Sequence, residues 1–345
     1  MFSPMLSILL IPFIISMFLA INMGGSGTAP SFSAAYGANL IRKDMIPGLF
    51  GIFVFIGALI AGKKVVLTIG KGILPADSMT LVLTTIILLS VSLSLLLANL
   101  LKIPQSTSQS TIAALVGPAV YLDILQTEKL FFEIIPTWFI LPVISFIITY
   151  VIGKYIYNPV KSRGWINFDQ ISSHKGLKFV VILTSLYVAF SIGSNNVANA
   201  AGPLASMMSN DLGIPVESSS FNLIMIAATL VIAPCFGIGS SLFGHRVLET
   251  TGKQIVEFGP LGASLVSFIT ATLLLLASVT KGIPTSLVQM NIAAIIGLGI
   301  SKFGWRKVIV QTSVKKLVTI WIIAPLISLT LSFGLTLMAA EWNLL

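Results

Sequence analysis

The chain has 345 residues, 56% of them hydrophobic and only 9% charged. A soluble domain carries about 25% charged residues, so this deficit excludes an ordinary globular protein and indicates an integral membrane protein. A net charge of +9 would suit nucleic acid, but no basic stripe interleaved with aromatics accompanies it; no nucleic-acid partner is expected, and the lysines and arginines lie in loops, where they set membrane orientation.

In chain order, apolar runs cover 5–22, 45–62, 78–101, 134–153, 218–240, 260–280 and 317–338. Each is roughly the 17–25 residues a bilayer helix needs. The first lacks a basic leader and a nearby small-residue cleavage site, so it reads as a span rather than a removed signal. Further segments, interrupted by Gly, Pro and Ser, bring the expectation to roughly 10–12 helical segments in an all-α, multi-pass protein of the cell (inner) membrane, with the lipid bilayer as its solvent. Cys235 is the single cysteine and the two histidines, His174 and His245, stand apart, so neither a disulfide nor a metal site is expected. No cofactor is expected either. A phosphate-binding loop of the GxxxxGK[ST] type is missing, which disfavours ATP-driven transport by this chain alone.

The sequence is written twice. "AINMGGSGTAPSF" from Ala20 aligns with "AFSIGSNNVANAA" from Ala189, so that Gly24 meets Gly193, Ser26 meets Asn195 and Gly27 meets Asn196. "GKKVVLTIGKGI" from Gly62 aligns with "GHRVLETTGKQI" from Gly244, "IPQSTSQSTIAALVG" from Ile103 with "IPTSLVQMNIAAIIG" from Ile283, and "WFILPVIS" from Trp138 with "WIIAPLIS" from Trp321. These blocks divide the chain into a first repeat (1–157), a polar cytoplasmic linker (158–178) and a second repeat (179–345). Charge reverses between equivalent loops. Arg42 and Lys43 face Asp211 and Glu217, the acidic stretch 123–133 faces the basic stretch 302–316, and the basic linker faces Glu341. The halves are therefore expected to cross the membrane in opposite senses, as in secondary transporters built from inverted repeats. Lys63, Lys64 and Lys71 do not fit this pattern.

Each half interrupts its apolar runs at two places. One is Gly-rich: Gly24, Gly25, Ser26, Gly27 and Thr28, and Gly193, Ser194, Asn195 and Asn196. The other follows Ile-Pro: Ser106, Thr107 and Ser108, and Ser286. Their composition is that of helix starts. A helix N-terminus offers unpaired N–H groups and partial positive charge, and so attracts anions. Four such starts, broken or reentrant at membrane depth, would cage a small tetrahedral oxyanion. The expected lining is Ser26, Gly27, Thr28, Ser106, Thr107, Ser108, Asn195, Asn196, Asn199 and Ser286. Gly24, Gly25, Gly193 and Ser194 are supporting, with the glycines permitting a break and close approach. Gln109 and Gln289 sit at matching positions one turn on, placed either to cross-link the helices or to touch substrate. Small and polar residues in membrane helices also serve packing, and the asparagines suit interhelical hydrogen bonds equally well; the duplication is what favours binding. Arg246 and Glu249 read either as an ion pair on one helix face or as a coupling or gating pair.

At these motifs the chain resembles the inorganic phosphate transporter (PiT) family of secondary anion permeases. The resemblance runs through both halves in order. Phosphate members characteristically read Gly-Ala-Asn-Asp-Val-Ala-Asn in each half, and their Asn and Asp residues are implied to bind the ion and its coupling cation. Here the second copy reads Gly193-Ser194-Asn195-Asn196-Val197-Ala198-Asn199 and the first Gly24-Gly25-Ser26-Gly27-Thr28-Ala29-Pro30, so both aspartates are gone. In that the chain is similar to the sulfate permease branch. Phosphate keeps an O–H that a carboxylate can accept; sulfate offers only acceptors and is repelled by a carboxylate. Loss of the aspartates also removes the obvious ligands for Na⁺. The expectation is a non-enzymatic symporter that imports sulfate with protons. A phosphate permease coupled to Na⁺ or H⁺, and an anion channel on the same fold, are the alternatives; a homodimer is left open.

Overall fold

The computed structural model describes residues 4–100, 105–163, 175–244, 259–309 and 312–345. Twelve helices of nine residues or more occur among them, and no strand. They are α1 (Pro4–Gly37), α2 (Ile46–Ala61), α3 (Lys63–Lys71), α4 (Leu81–Leu100), α5 (Thr107–Tyr121) and α6 (Ile135–Ile152), then α7 (Lys175–Asn196), α8 (Ala198–Asp211), α9 (Ser219–Gly239), α10 (Gly259–Thr280), α11 (Leu287–Phe303) and α12 (Thr312–Glu341).

Eight stretches among the described residues are long and apolar enough to cross a bilayer. Seven fall on the apolar runs read from the sequence. The eighth, Lys175–Asp211, comprises α7 and α8 and carries the polar island that interrupts its hydropathy. Large apolar side chains such as Phe132, Phe139, Ile60 and Leu223 stay exposed, as expected of a surface facing hydrocarbon. The interior is partly polar instead. Ser90, Ser92, Thr111, Ser185 and Thr229 are buried, and each hydroxyl donates to the carbonyl four residues earlier on its own helix. That bond lets a hydroxyl sit inside without a tertiary partner.

Packing is reciprocal between the halves. α2 lies along α7 while α9 lies along α1, and α5 packs on α12 while α11 packs on α6; within each half, α1 meets α4 and α7 meets α10. Glycines set the closest crossings. A Cβ on Gly193 would be driven into the Val54 carbonyl of α2, and one on Gly57 of α2 into the Phe190 carbonyl of α7. The α1–α9 crossing repeats the arrangement, with Gly24 against the Phe236 carbonyl and Gly239 against the Ile21 carbonyl.

This corrects one expectation. The Gly-rich stretches do not start helices: residues 24–28 lie inside the continuous α1, and the second copy ends α7 with only Val197 between it and α8, in right-handed helical conformation. Main-chain hydrogen bonding is unbroken through the first, while at the second the helix restarts at Ala198 after Val197; at both, glycine removes bulk at a crossing rather than supplying an unusual dihedral. Of the four motif stretches, two remain as starts with an extended serine cap, those of α5 and α11.

The three lysines that fitted no loop rule all belong to α3, and two of them have partners in the second half. Lys64 Nζ donates to the Thr280 carbonyl at 2.9 Å, at the C-terminus of α10, where a cation is favoured. Lys71 Nζ lies 3.1 Å from Glu217, and this hydrogen bond holds the Glu217 carboxyl below its usual range.

Candidate functional site

α5 and α11 begin alike. Each is capped by a serine in extended conformation, Ser106 and Ser286, whose Oγ accepts from the backbone N–H three residues on, at 3.3 Å from Gln109 N and 3.2 Å from Gln289 N. The prolines of the Ile-Pro motif do not occupy the first helical turn: Pro284 lies two residues before its cap, and Pro104 is outside the described residues. As the capping oxygens accept, their own O–H protons stay available. Among the described residues, the N–H groups of Ser106, Thr107, Ser286, Leu287 and Val288 have no acceptor in the protein, as the first turn of a helix requires.

Both starts open onto one cleft. It is lined by Ser26, Gly27 and Pro30 of α1, Gln105, Ser106 and Thr107 at the start of α5, Ile192 and Asn196 of α7, and Thr285, Ser286, Leu287 and Val288 at the start of α11. Among the described residues, no lining residue is ionisable. The cavity measures about 20 Å³, room for about one water-sized body. The Thr285 hydroxyl is buried in this wall without a hydrogen-bond partner. A larger cavity, about 470 Å³, lies among the loop residues 75–77 and 213–217 beside Lys71 and Glu217; it lacks this convergence of donors from both halves.

Of the ten lining residues read from the sequence, Ser26, Gly27, Ser106, Thr107, Asn196 and Ser286 reach the cleft. The other four are committed elsewhere. Asn195 is saturated: its Nδ2 donates to Ser278 Oγ (2.9 Å) and the Ile283 carbonyl (3.1 Å), while its Oδ1 accepts from Ser108 Oγ and Thr285 N, each at 3.2 Å. It therefore ties α7 to α10 and to both capped starts. Ser108 is used by that bond and by Asn199, whose Nδ2 lies 3.3 Å from Ser108 Oγ and 3.4 Å from Thr107 Oγ1. Thr28 bonds the Gly24 carbonyl and Ser240 Oγ, both at 2.8 Å, against the π-helical turn Ser240–Gly244.

The supporting residues pack. Ser194 bonds back to the Ser191 carbonyl, and Gly25 faces the Phe243 side chain. Gln109 and Gln289 exchange two hydrogen bonds, Nε2 to Oε1 in each direction, both 2.9 Å. They thus cross-link α5 to α11 behind the cleft. Arg246 and Glu249 lie outside the described residues. Sequence reasoning missed Gln105 and Thr285 as lining. The available signal was that each immediately precedes a cap serine in register with the other.

Comparisons with known proteins complete the picture. The model of the phosphate transporter family matches residues 23–332. The chain belongs to that family. This family member is a transporter rather than an enzyme, and a multi-pass protein of the cell membrane. It is 37% identical to the sulfate permease CysP of Bacillus subtilis over 92% of its own length and 84% of that relative. A chain from Pyrococcus abyssi with a provisional designation as a phosphate permease is 27% identical over 91% and 94%. A solved structure, the sodium-dependent phosphate transporter, superposes with a TM-score of 0.81 at 23% identity, covering 97% of this chain and 99% of that one; this establishes the fold.

Proposed function

We propose that this family member imports sulfate together with protons as a secondary active transporter. The anion is held between repeats 1–157 and 179–345, which run oppositely through the membrane and alternate access around the cleft. The carrying observation is the cleft itself: hydroxyls, the amides of Gln105 and Asn196 and orphan N–H groups from both halves converge, and among the described residues no carboxylate lines it. Neutral donors without a carboxylate suit sulfate, which has no hydrogen to give and is repelled by a negative acceptor; a carboxylate is the stronger reader of the O–H that phosphate keeps. The similarity to a sulfate permease supports the same choice. The reciprocal helix packing and twinned glycine crossings support the repeat reading. With no carboxylate among the described lining residues, the cleft offers Na⁺ no charged ligand there, hence the assignment of protons.

Counterflow of labelled sulfate in proteoliposomes tests this. Saturable exchange that follows a pH gradient and ignores Na⁺ is expected. Uptake that requires Na⁺ and is blocked by phosphate but not sulfate overturns the proposal in favour of a phosphate permease, and electrical conduction without saturable exchange makes the protein a channel.

Thr285→Val separates binding from folding. The valine replaces a buried hydroxyl that has no protein partner, so thermal stability in detergent should hold or rise. Loss of one donor to a dianion should raise the half-saturation for sulfate about tenfold. Unchanged sulfate kinetics would remove Thr285 from the site.

A further inference from the structure

Both capped starts carry the pattern Ser-x-x-Gln, Ser106 to Gln109 and Ser286 to Gln289. In a capping box the serine takes the N–H of the third helical residue, and the glutamine folds back onto the serine's own N–H. Here only the first half of each box is made. The serine bonds are present, but the glutamine side chains turn away and pair with each other across the two halves. The N–H groups of Ser106 and Ser286, which closed boxes would consume, belong to residues that line the cleft and have no acceptor among the described residues.

We propose that Gln109 and Gln289 are positioning residues that switch between these two arrangements, and that the anion selects the paired one. An anion on the Ser106 and Ser286 N–H groups occupies the acceptor-seeking atoms that the glutamines would otherwise take. The amides then have only each other, and the pairing ties α5 to α11 around the cargo. When the anion leaves, each glutamine has its own cap to return to, so the tie opens without stranding a buried amide, which would cost a full desolvation penalty. The sequence provides two satisfied states for the same pair of side chains, the requirement for a two-state element that a ligand can bias. The inference rests on the anion-binding reading above and adds to it a link between occupancy and closure.

A double-mutant cycle tests it, read as half-saturation for sulfate in counterflow alongside thermal stability in detergent. In Gln109→Leu, Gln289 loses its partner, closes its own box and competes with the anion for the Ser286 N–H. Half-saturation should rise about tenfold, as for one lost hydrogen bond; Gln289→Leu should do the same through Ser106. The double variant has no competitor at either cap, so its half-saturation should return to within about threefold of the wild type. A merely structural cross-link predicts the reverse, with the double variant at least as impaired as either single. If the leucine pair does not fold, methionine at both positions gives the same comparison. Additive losses, or single variants with unchanged half-saturation, overturn the switch while wild-type sulfate exchange stands. A wild type inert toward sulfate overturns the transport reading and the switch with it.

Discussion

Asn196→Asp is expected to reduce sulfate uptake by about 100-fold or more while improving the relative transport of phosphate. Asn196 lines the cleft and, unlike Asn195, makes no hydrogen bond to the protein among the described residues, so its amide is free to meet cargo. A carboxylate in its place would face a dianion at close range. Two unit charges about 4 Å apart at an effective dielectric of about 20 repel by roughly 4 kcal/mol, and a factor of 100 needs only about 2.7 kcal/mol. Partial protonation and side-chain rotation will relieve some of this, which is why the lower figure is taken. Singly protonated phosphate escapes the penalty in part, because it can donate its O–H to the new acceptor. Paired uptake measurements with labelled sulfate and phosphate check both halves of the expectation. Sulfate transport within twofold of the wild type would show that Asn196 does not face the cargo.

The second large effect is expected from Gly193→Ala, with Gly24→Ala as its counterpart. The added methyl points at a backbone carbonyl, Val54 in one case and Phe236 in the other, and no rotamer change can move it aside. Over-packing a core typically costs 1–3 kcal/mol, and a main-chain obstacle places these changes near about 3. The helix-propensity gain of alanine over glycine, at most about 1 kcal/mol, does not offset it. The variants should show a thermal midpoint lowered by several degrees and a marked loss of transport. Gly37→Ala is the control, since a Cβ there meets nothing within 4 Å. Equal stability of all three proteins would mean that the α2–α7 and α1–α9 crossings are looser than described.

Much of this architecture was legible in the sequence, and the failures have physical causes. Seven spans followed from apolar length alone, and the starts of α5 and α11 followed from cap-type serines just after Ile-Pro. The eighth span hid because Ser191 and Ser194 bond to carbonyls of their own helix, so their polarity is cancelled in the fold but not in a hydropathy sum. Glycine-rich composition is shared by broken helices and by tightly crossed ones, and only the neighbouring backbone decides between them; hence the misreading at residues 24–28. Asn195 and Asn196 could not be told apart by type. Consecutive helical positions point about 100° apart, and that rotation sends one into a saturated network and the other to the cleft. Thr28 and Ser108 were likewise drawn away by partners distant in sequence, Ser240 and Asn195.

The cleft wall, with no ionisable side chain among the described residues, also has an electrical consequence. Such a chamber supplies no countercharge to travel with its cargo, so the membrane voltage acts on the charge of the cargo and its co-ions alone. An interior at −100 mV opposes entry of a bare dianion by about 4.6 kcal/mol, at about 2.3 for each charge. Two accompanying protons make the cycle electroneutral, and a third turns the same voltage into a driving force.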